Sequence, residues 1–471
     1  MLGVPFFAVA VNAPFTVGSK LLDRVETCAC ATKRQGSTLH LRQIGRRCFQ
    51  YELRNSVFNT NFTFSSRRDR RSQSSMSRFI IFCNVDASSA SCGLAERIQT
   101  IESEGRKHNE SLSSTKVVVG MSGGVDSSTV AGVLRRDGYD IVGVTLWHLT
   151  GEGSCCSGGM VDAARICDQL GVEHHIVDTR EEFTTNVVEY LVQGYQSGIT
   201  PLACSQCNKT VKFRGLLDFA DANGLLNVAT GHYARIEYDQ SSNRHVLKRA
   251  LYLPKDQSYF LYDLSQDQLA RLIFPLGSTT KTETREEARN MGLYTADKPE
   301  SQDLCLAEKH GSMRAFLEEH IDARMGAIID QEGNVLGQHS GVHNFTIGQR
   351  KGLRVAADLP LYVIELKADT NEVVVCKDRS TALSPDCTVQ RVNWVSIPPQ
   401  TEPFKATVQL RYRSPPVVAT VIPLQAWAVG ESRVRIVFDN PQFAVAPGQA
   451  AVFYDEDKVL GGGIIERPVV V

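Results

Sequence analysis

The chain has no long hydrophobic run. Its longest nearly uncharged apolar stretch is the opening MLGVPFFAVAV, well short of the roughly 18–20 residues that a membrane-spanning helix needs, which excludes an integral helical membrane protein. Cysteine is sparse, with 13 in 471 residues, too few for a fold stapled by disulfides. No Gly-Lys-Ser or Gly-Lys-Thr occurs anywhere, so the chain has no Walker A loop and lacks the lysine that grips a transferred terminal phosphate. Acidic residues are scarce at the start: residues 1–80 hold 13 Lys and Arg against 4 Asp and Glu, which leaves 38 basic and 48 acidic residues for the rest. The net charge of −1 therefore hides two segments of opposite sign.

What is present is ordinary globular composition, 42% apolar and 22% charged, sufficient for a substantial core. The length implies two or three domains. The opening segment, basic, serine-rich and acid-poor with SSRRDRRSQSSMSR, has the composition of an organellar transit peptide. Residues 1–110 are expected to be a targeting leader without a stable fold. Its serine content and the want of an obvious amphipathic Arg helix favour the chloroplast, with the mitochondrion second. A basic arm that binds nucleic acid is the competing reading. Cys28, Cys30, Cys48, Cys83 and Cys92 receive no functional role.

From Lys116 the texture changes. KVVVGM is an apolar run of strand length, and the turn SGGVD follows it. The segment Ser127–Arg136 then places Val130, Val133 and Leu134 at helical spacing ahead of Gly138. Asp140–Leu146, His174–Val177 and Leu226–Ala229 read as further strands. Val161–Leu170, Glu182–Gly194 and Asn208–Asn223 read as helices. Strands alternating with helices predict an α/β domain over 115–310 with a parallel sheet covered on both faces, whose ligands sit outside the carboxyl ends of the strands. Residues 311–385 read as a small central domain with one short helix, Ser312–His320, and a loop-like HNFTIGQRKGL. Residues 386–471 contain TVQLRYR, VVATVIPL, RVRIVF, AAVFYD and VLGGGII, alternating strands that predict a C-terminal antiparallel β-barrel.

The motif Gly120-Met121-Ser122-Gly123-Gly124-Val125-Asp126-Ser127-Ser128 lies between a strand and a helix. Adjacent glycines let successive N–H groups point at one spot, and the helix that follows adds its positive end, making an anion site. Hydroxyls surround it, and Asp126 can hold a magnesium ion on a polyphosphate. Without a P-loop lysine, the site suits a pyrophosphate that leaves rather than a terminal phosphate that is transferred. A second group is GITPLACSQCNKTVKF with Cys207, together with KPESQDLCL carrying Cys305. Cys207 is read just before a helix, near Lys209 and Lys212, where thiolate is favoured. Two thiols far apart in sequence but both in polar loops suit a sulfur relay, one carrying a persulfide and the other resolving it. Cys167, Cys376 and Cys387 are read as small core residues, and Cys155 and Cys156 are left without a role.

SGGVDSS resembles the PP-loop of the adenylating ATP pyrophosphatases, which implies an adenine-nucleotide α-hydrolase-like sheet and activation of a carbonyl oxygen as its AMP ester. GMSGGVDSS, TP-x4-C-N-K-x-x-KF, ATGHYAR, KDQSYFLY, SQDLCL, FTIGQRKGL, LRYR, PGQAAVFY and LGGGII together resemble the tRNA-specific 2-thiouridylases, bacterial and organellar, over 116–467. That resemblance implies an ATP- and Mg2+-dependent sulfurtransferase that turns the 2-oxo group of a tRNA wobble uridine into 2-thio, supplied by a persulfide-bearing donor protein and with no membrane involved. It implies ATP on Gly120–Ser127, Leu146 and Gly231, catalysis by Cys207 and Cys305, and RNA contacts by Leu202, Ala203, Cys204, His232, Lys255, Asp256, Gln257, Arg411, Tyr412 and Gln449. Arg411 and Arg413 are read on one face of a strand, with Tyr412 on the other.

One segment departs from the family. Many members carry Asn-Pro-Asp where this chain has Leu202-Ala203-Cys204. The missing Asp removes a candidate acid/base, and a third thiol gives Cys204-x-x-Cys207 with the distant Cys305. Three thiolates with an open position suit an iron–sulfur cluster, as in related PP-loop thiolases, so a cluster route stands beside the persulfide–disulfide route. The competing functions are another PP-loop adenylating ligase, for which no ammonia-generating region is seen, and a non-catalytic RNA-binding protein.

Overall fold

The computed structural model describes residues 116–150, 157–300, 304–424 and 432–468, with five short strands before residue 110. The chain divides into two compact units, Met1–Lys107 and His108–Val471. In the first, His40–Gln43, Phe49–Arg54 and Asn61–Ser65 form an antiparallel sheet, and Ala8–Val9 pairs with Ile81–Phe82. The leader expected over 1–110 otherwise lies outside the described residues, as do Cys155 and Cys156.

The second unit is built on strands β1 (Lys116–Gly120), β2 (Asp140–Trp147), β3 (Glu173–Asp178), β4 (Asn227–Ala229) and β5 (Leu272–Ile273), in the order β5-β4-β1-β2-β3. Every pairing is parallel. Val117, Val118 and Val119 on central β1 are all 0% exposed, because each face is covered and a buried strand has no solvent side to mark with polar residues. Helices α1 (Val125–Arg136) and α2 (Ser157–Leu170) cover one face, where Val130, Leu134 and Ile166 meet Val117, Val119 and Ile141. On the other face, Phe213, Leu216 and Leu217 meet Val118, Val142 and Val144. These come from one helical rod, α3 (Ala203–Cys207) continuing through a π turn (Asn208–Lys212) into α4 (Phe213–Ala222). The rod begins five residues earlier than its sequence suggests.

Helix α5 (Lys281–Asn290) opens with a capping box in which Thr280 and Glu283 satisfy each other's backbone amides. Helices α6 (Cys305–His310) and α7 (Met313–His320) follow. The central region is more ordered than its loop-like sequence predicts. Strands β6 (Gly326–Ile329), β7 (Val335–His339), β8 (Tyr362–Lys367) and β9 (Glu372–Cys376) form a mixed sheet in the order β7-β6-β9-β8.

The C-terminal barrel comprises β10 (Leu383–Asn393), β11 (Phe404–Gln409), β12 (Val417–Leu424), β13 (Arg433–Phe443), β14 (Ala450–Asp455) and β15 (Lys458–Ile465). It closes as β15-β10-β13-β12-β11-β14-β15, antiparallel throughout, which leaves the six strands no open edge. A hairpin of Ala234–Asp239 and Arg244–Arg249, unmarked in the sequence reading, joins it through the Lys248–Lys458 pair. The LRYR segment corrects an expectation. Strand β11 ends at Gln409, and Arg413 has a φ of 63°, so Arg411–Arg413 form a turn and not a strand face.

Candidate active site

The loop between β1 and α1 sits at the carboxyl end of the central strand. Gly123 has a φ of +69°, and a Cβ there would lie 2.3 Å from the Gly159 carbonyl oxygen, so only glycine fits both the left-handed backbone and the space. Ser127 Oγ accepts from the Ser122 amide at 3.2 Å and donates to the Gly124 carbonyl at 3.2 Å, and Ser128 Oγ donates to the same carbonyl at 2.9 Å. The serines therefore brace the loop from inside. Gly231, after β4, closes the cradle from the neighbouring strand. A Cβ there would meet Asp126 Cβ at 2.9 Å and the Ser127 nitrogen at 3.0 Å, which explains a glycine where two backbones touch. Leu146, half-buried at the end of β2, packs on the α4 side of the sheet. Met121 and Val125 are core residues whose side chains face away from any ligand.

Asp126 is the loop's carboxylate. Its Oδ1 accepts from Lys281 Nζ at 2.6 Å and from the Tyr233 hydroxyl at 2.9 Å. Lys281, the first residue of α5, also reaches Glu300 at 2.9 Å. Glu300 pairs in turn with Lys255, and with Arg285 at 3.5 Å. Burial alone would raise the Glu300 carboxyl, but the Lys255 and Lys281 ammoniums outweigh it and hold it down to about 2. Lys298 donates to the Gly123 carbonyl at 2.9 Å and pairs with Asp162. Two lysines thus tie the segment ahead of Cys305 to the phosphate-type loop. Sequence reading missed Lys281, Tyr233, Lys298 and Glu300, since the first three act across more than 100 residues and Glu300 works through Lys281 and Lys255 with no local pattern.

His232 is half-buried between Phe213 and Phe274, with ring centroids 5.3 and 5.7 Å away, and its Nδ1 lies 2.8 Å from Thr230 Oγ1. Burial and the nearby Lys212 push it down to about 3, so it is a neutral ring at this edge. His148, beyond β2, is buried, bonded to Thr179 at 2.8 Å and likewise pushed down to about 3 by burial and Lys212.

Cys207 is 6% exposed and shares an apolar cluster with Leu149, Phe183, Leu191, Val211, Leu306 and Phe316; Cys305 packs against the same cluster. The structure therefore brings the two distant cysteines to one place. The local reading of Cys207 is corrected, because it lies inside a continuous helical rod and not ahead of a helix. Its amide already has a helical setting, so the helix-terminus argument for thiolate does not apply. Leu202 and Ala203 are buried, while Cys204 is half-exposed, so of the three only the Cys204 side chain faces outward. No disulfide joins the described cysteines.

Cys204 and Cys207 stand at i and i+3 on one helix, yet among the described residues no three His, Cys, Asp or Glu side chains converge on a metal position. Magnesium takes hard oxygen ligands, and the one-third-exposed Asp126 carboxylate would supply one.

Of the other residues expected to contact RNA, several make internal contacts. Asp256 is 7% exposed and accepts from Arg249 at 3.0 Å, the Ala250 amide at 3.0 Å and Ser258. Gln257 Oε1 accepts from the Tyr233 amide at 3.0 Å. Arg411 donates to the Ile347 carbonyl at 3.1 Å and to the Ala444 carbonyl. Tyr412 lies 4.4 Å from Phe260, and Gln449 donates to the Thr200 carbonyl at 2.8 Å. Tyr412 and Gln449 thus join the barrel to the α/β domain, and Arg411 joins it to the central region.

Three family models match the chain: "tRNA methyl transferase HUP domain" over residues 115–309, "tRNA methyl transferase PRC-barrel domain" over 314–377, and "Aminomethyltransferase beta-barrel domain" over 384–465. The tRNA-specific 2-thiouridylase MnmA of Nostoc punctiforme is 61% identical over 353 residues, which is 75% of this chain and 99% of that relative. The protein of the same name from Trichormus variabilis is also 61% identical over 353 residues, with the same coverage. That of Acaryochloris marina is 58% identical over 355 residues, 74% of this chain and 99% of its own.

Proposed function

The chain belongs to the tRNA-specific 2-thiouridylase family, and from that premise we propose how its residues carry out the reaction. It is an ATP-dependent sulfurtransferase that puts sulfur at C2 of a uridine in tRNA, and the wobble uridine is the target assigned. The observation that carries this reading is the presence in one unit of a pyrophosphate-type loop and of two cysteines, 98 positions apart, that share one apolar cluster.

The target base leaves its stack to reach the sheet edge, where neutral His232 and outward-facing Cys204 line the approach. Uridine O2 attacks the α-phosphorus of ATP and pyrophosphate departs, leaving AMP esterified to O2. Loop amides and the Ser122 and Ser127 hydroxyls receive the departing charge, and Asp126 would hold the magnesium ion, which neutralises charge on the phosphates when bound. The terminal sulfur of a Cys305 persulfide then attacks C2, and AMP leaves with its electron pair. The Cys207 thiolate attacks Cys305 Sγ, the S–S bond breaks, and its electrons stay on the sulfur now bound to C2. The products are 2-thiouridine and a Cys207–Cys305 disulfide, which an external dithiol reduces for the next turnover. The apolar cluster around both thiols supports this exchange by keeping water from the persulfide.

A persulfide-bearing protein as sulfur source and a plastid address in residues 1–110, with the mitochondrion as second choice, complete the proposal. The leader reading is supported by the excess of Lys and Arg in residues 1–80. Incubating the full chain with ATP, Mg2+, unmodified tRNA and a persulfide donor, then digesting the RNA for mass spectrometry, tests the function. The expected product is 2-thiouridine with stoichiometric AMP. Unmodified uridine beside a normally folded protein overturns it. A fluorescent fusion of residues 1–110 that stays cytosolic overturns the targeting reading.

A further inference from the structure

Four charged side chains alternate in sign from the KDQ loop to the phosphate-type loop. Lys255 Nζ pairs with Glu300, Glu300 with Lys281 at 2.9 Å, and Lys281 with Asp126 at 2.6 Å. The inner members are the more shielded, with side-chain exposures of 11% for Lys281 and 19% for Glu300, against 31% for Lys255 and 34% for Asp126. The two ends are thus the members that ligands reach. Lys255 is one of the residues that the family resemblance gives to tRNA, and Asp126 is where the proposed function puts Mg–ATP. Arg285 fixes the middle by donating to the carbonyls of Ala296 and Lys298 while also reaching Glu300. Charges this close and this shielded respond to one another more strongly than exposed pairs do.

We propose that Glu300 is a positioning residue that couples tRNA binding to nucleotide binding, by sharing its carboxylate between Lys255 on the RNA side and Lys281 on the ATP side. The inference rests on the functional reading above. The sign follows from competition. When a tRNA phosphate draws Lys255 away, Glu300 turns its full charge to Lys281. Lys281 then leans off Asp126, which is released toward the cation on ATP. Each ligand therefore strengthens the other, and linkage requires the factor to be equal in both directions.

The test uses the full chain and measures binding. The Kd of α,β-methylene-ATP with Mg2+ is taken by calorimetry with and without saturating unmodified tRNA, in wild type and in the Glu300→Gln, Lys255→Met and Lys255→Arg variants. Wild type is expected to bind the analogue at least about fivefold more tightly when tRNA is present, within the usual range of coupling between sites. Glu300→Gln and Lys255→Met are expected to bring that factor to about one, while Lys255→Arg, which keeps the charge, retains it. A purely structural role would weaken binding equally with and without tRNA, leaving the factor unchanged. An unchanged factor in Glu300→Gln, or no coupling in wild type, overturns the proposal while leaving the thiolation reading intact. A wild-type protein that binds neither the analogue nor tRNA overturns the thiolation reading itself.

Discussion

The phosphate-type loop and the barrel differ in what they do with the residues that a motif singles out. At the loop, the motif supplies a one-third-exposed carboxylate, Asp126, and serines that brace the turn around it. At the barrel, the corresponding residues turn inward. Arg411 holds two backbone carbonyls, Tyr412 packs on Phe260, and Gln449 caps Thr200. A motif near a strand's carboxyl end leaves a polar group open, whereas one at the domain junction spends its polar groups on joining parts of the fold. The exposed member of the barrel turn is Arg413, whose guanidinium lies 5.3 Å from the Tyr412 ring.

Substitutions can break this comparison, and the largest effect is expected at the loop. Gly123→Ala combines a left-handed backbone with a Cβ 2.3 Å from Gly159 O, and strain plus overpacking should cost about 3 kcal/mol or more. Thermal unfolding checks it, and a stability equal to wild type would show that α2 moves aside freely. Next in size is Arg411→Ala, which orphans the Ile347 and Ala444 carbonyls and should destabilise by about 1–3 kcal/mol. A variant that keeps its stability but loses tRNA binding would return Arg411 to direct RNA contact. Smallest is Arg413→Ala, expected to leave stability unchanged while lowering the slope of log affinity for tRNA against log salt by about 1.

Acid offers a way to sharpen the same contrast. The Glu300 carboxyl sits at about 2 in the folded protein against an ordinary 4.5, so its contribution is complete above 4.5 and drains away as pH falls towards 2. Melting temperatures across that window should fall less steeply in Glu300→Gln than in wild type, and parallel profiles would contradict this assignment.

Much of this architecture was legible in the sequence because its signals are local. KVVVGM followed by SGGVDSS marks a buried strand, a tight anion-binding turn and a helix within fifteen residues. The hairpin Ala234–Arg249 was not legible, since ARIEYD and RHVLKR lie on a half-exposed sheet where charges replace the apolar run. The central sheet was missed for a related reason: VLGQH has two exposed apolar residues and a glycine, which resembles loop. The burial of Asp256 was not legible because its neighbours Lys255 and Gln257 suggest a polar surface, whereas Arg249 and Ser258 take its carboxylate inside. The charged series from Lys255 to Asp126 joins residues up to 155 positions apart, and only folding brings them together.

The central claim is that one site first adenylates the uridine and then delivers sulfur through Cys305. Full-length Cys305→Ser, incubated with unmodified tRNA, Mg2+ and ATP labelled at the α-phosphate, separates the two steps. The account predicts that AMP label accumulates on the tRNA while no 2-thiouridine forms, and that Gly231→Ala, whose added Cβ presses on Asp126, gives neither. Formation of 2-thiouridine by the Cys305→Ser protein, or its failure to label tRNA while wild type thiolates the same tRNA, would contradict the account.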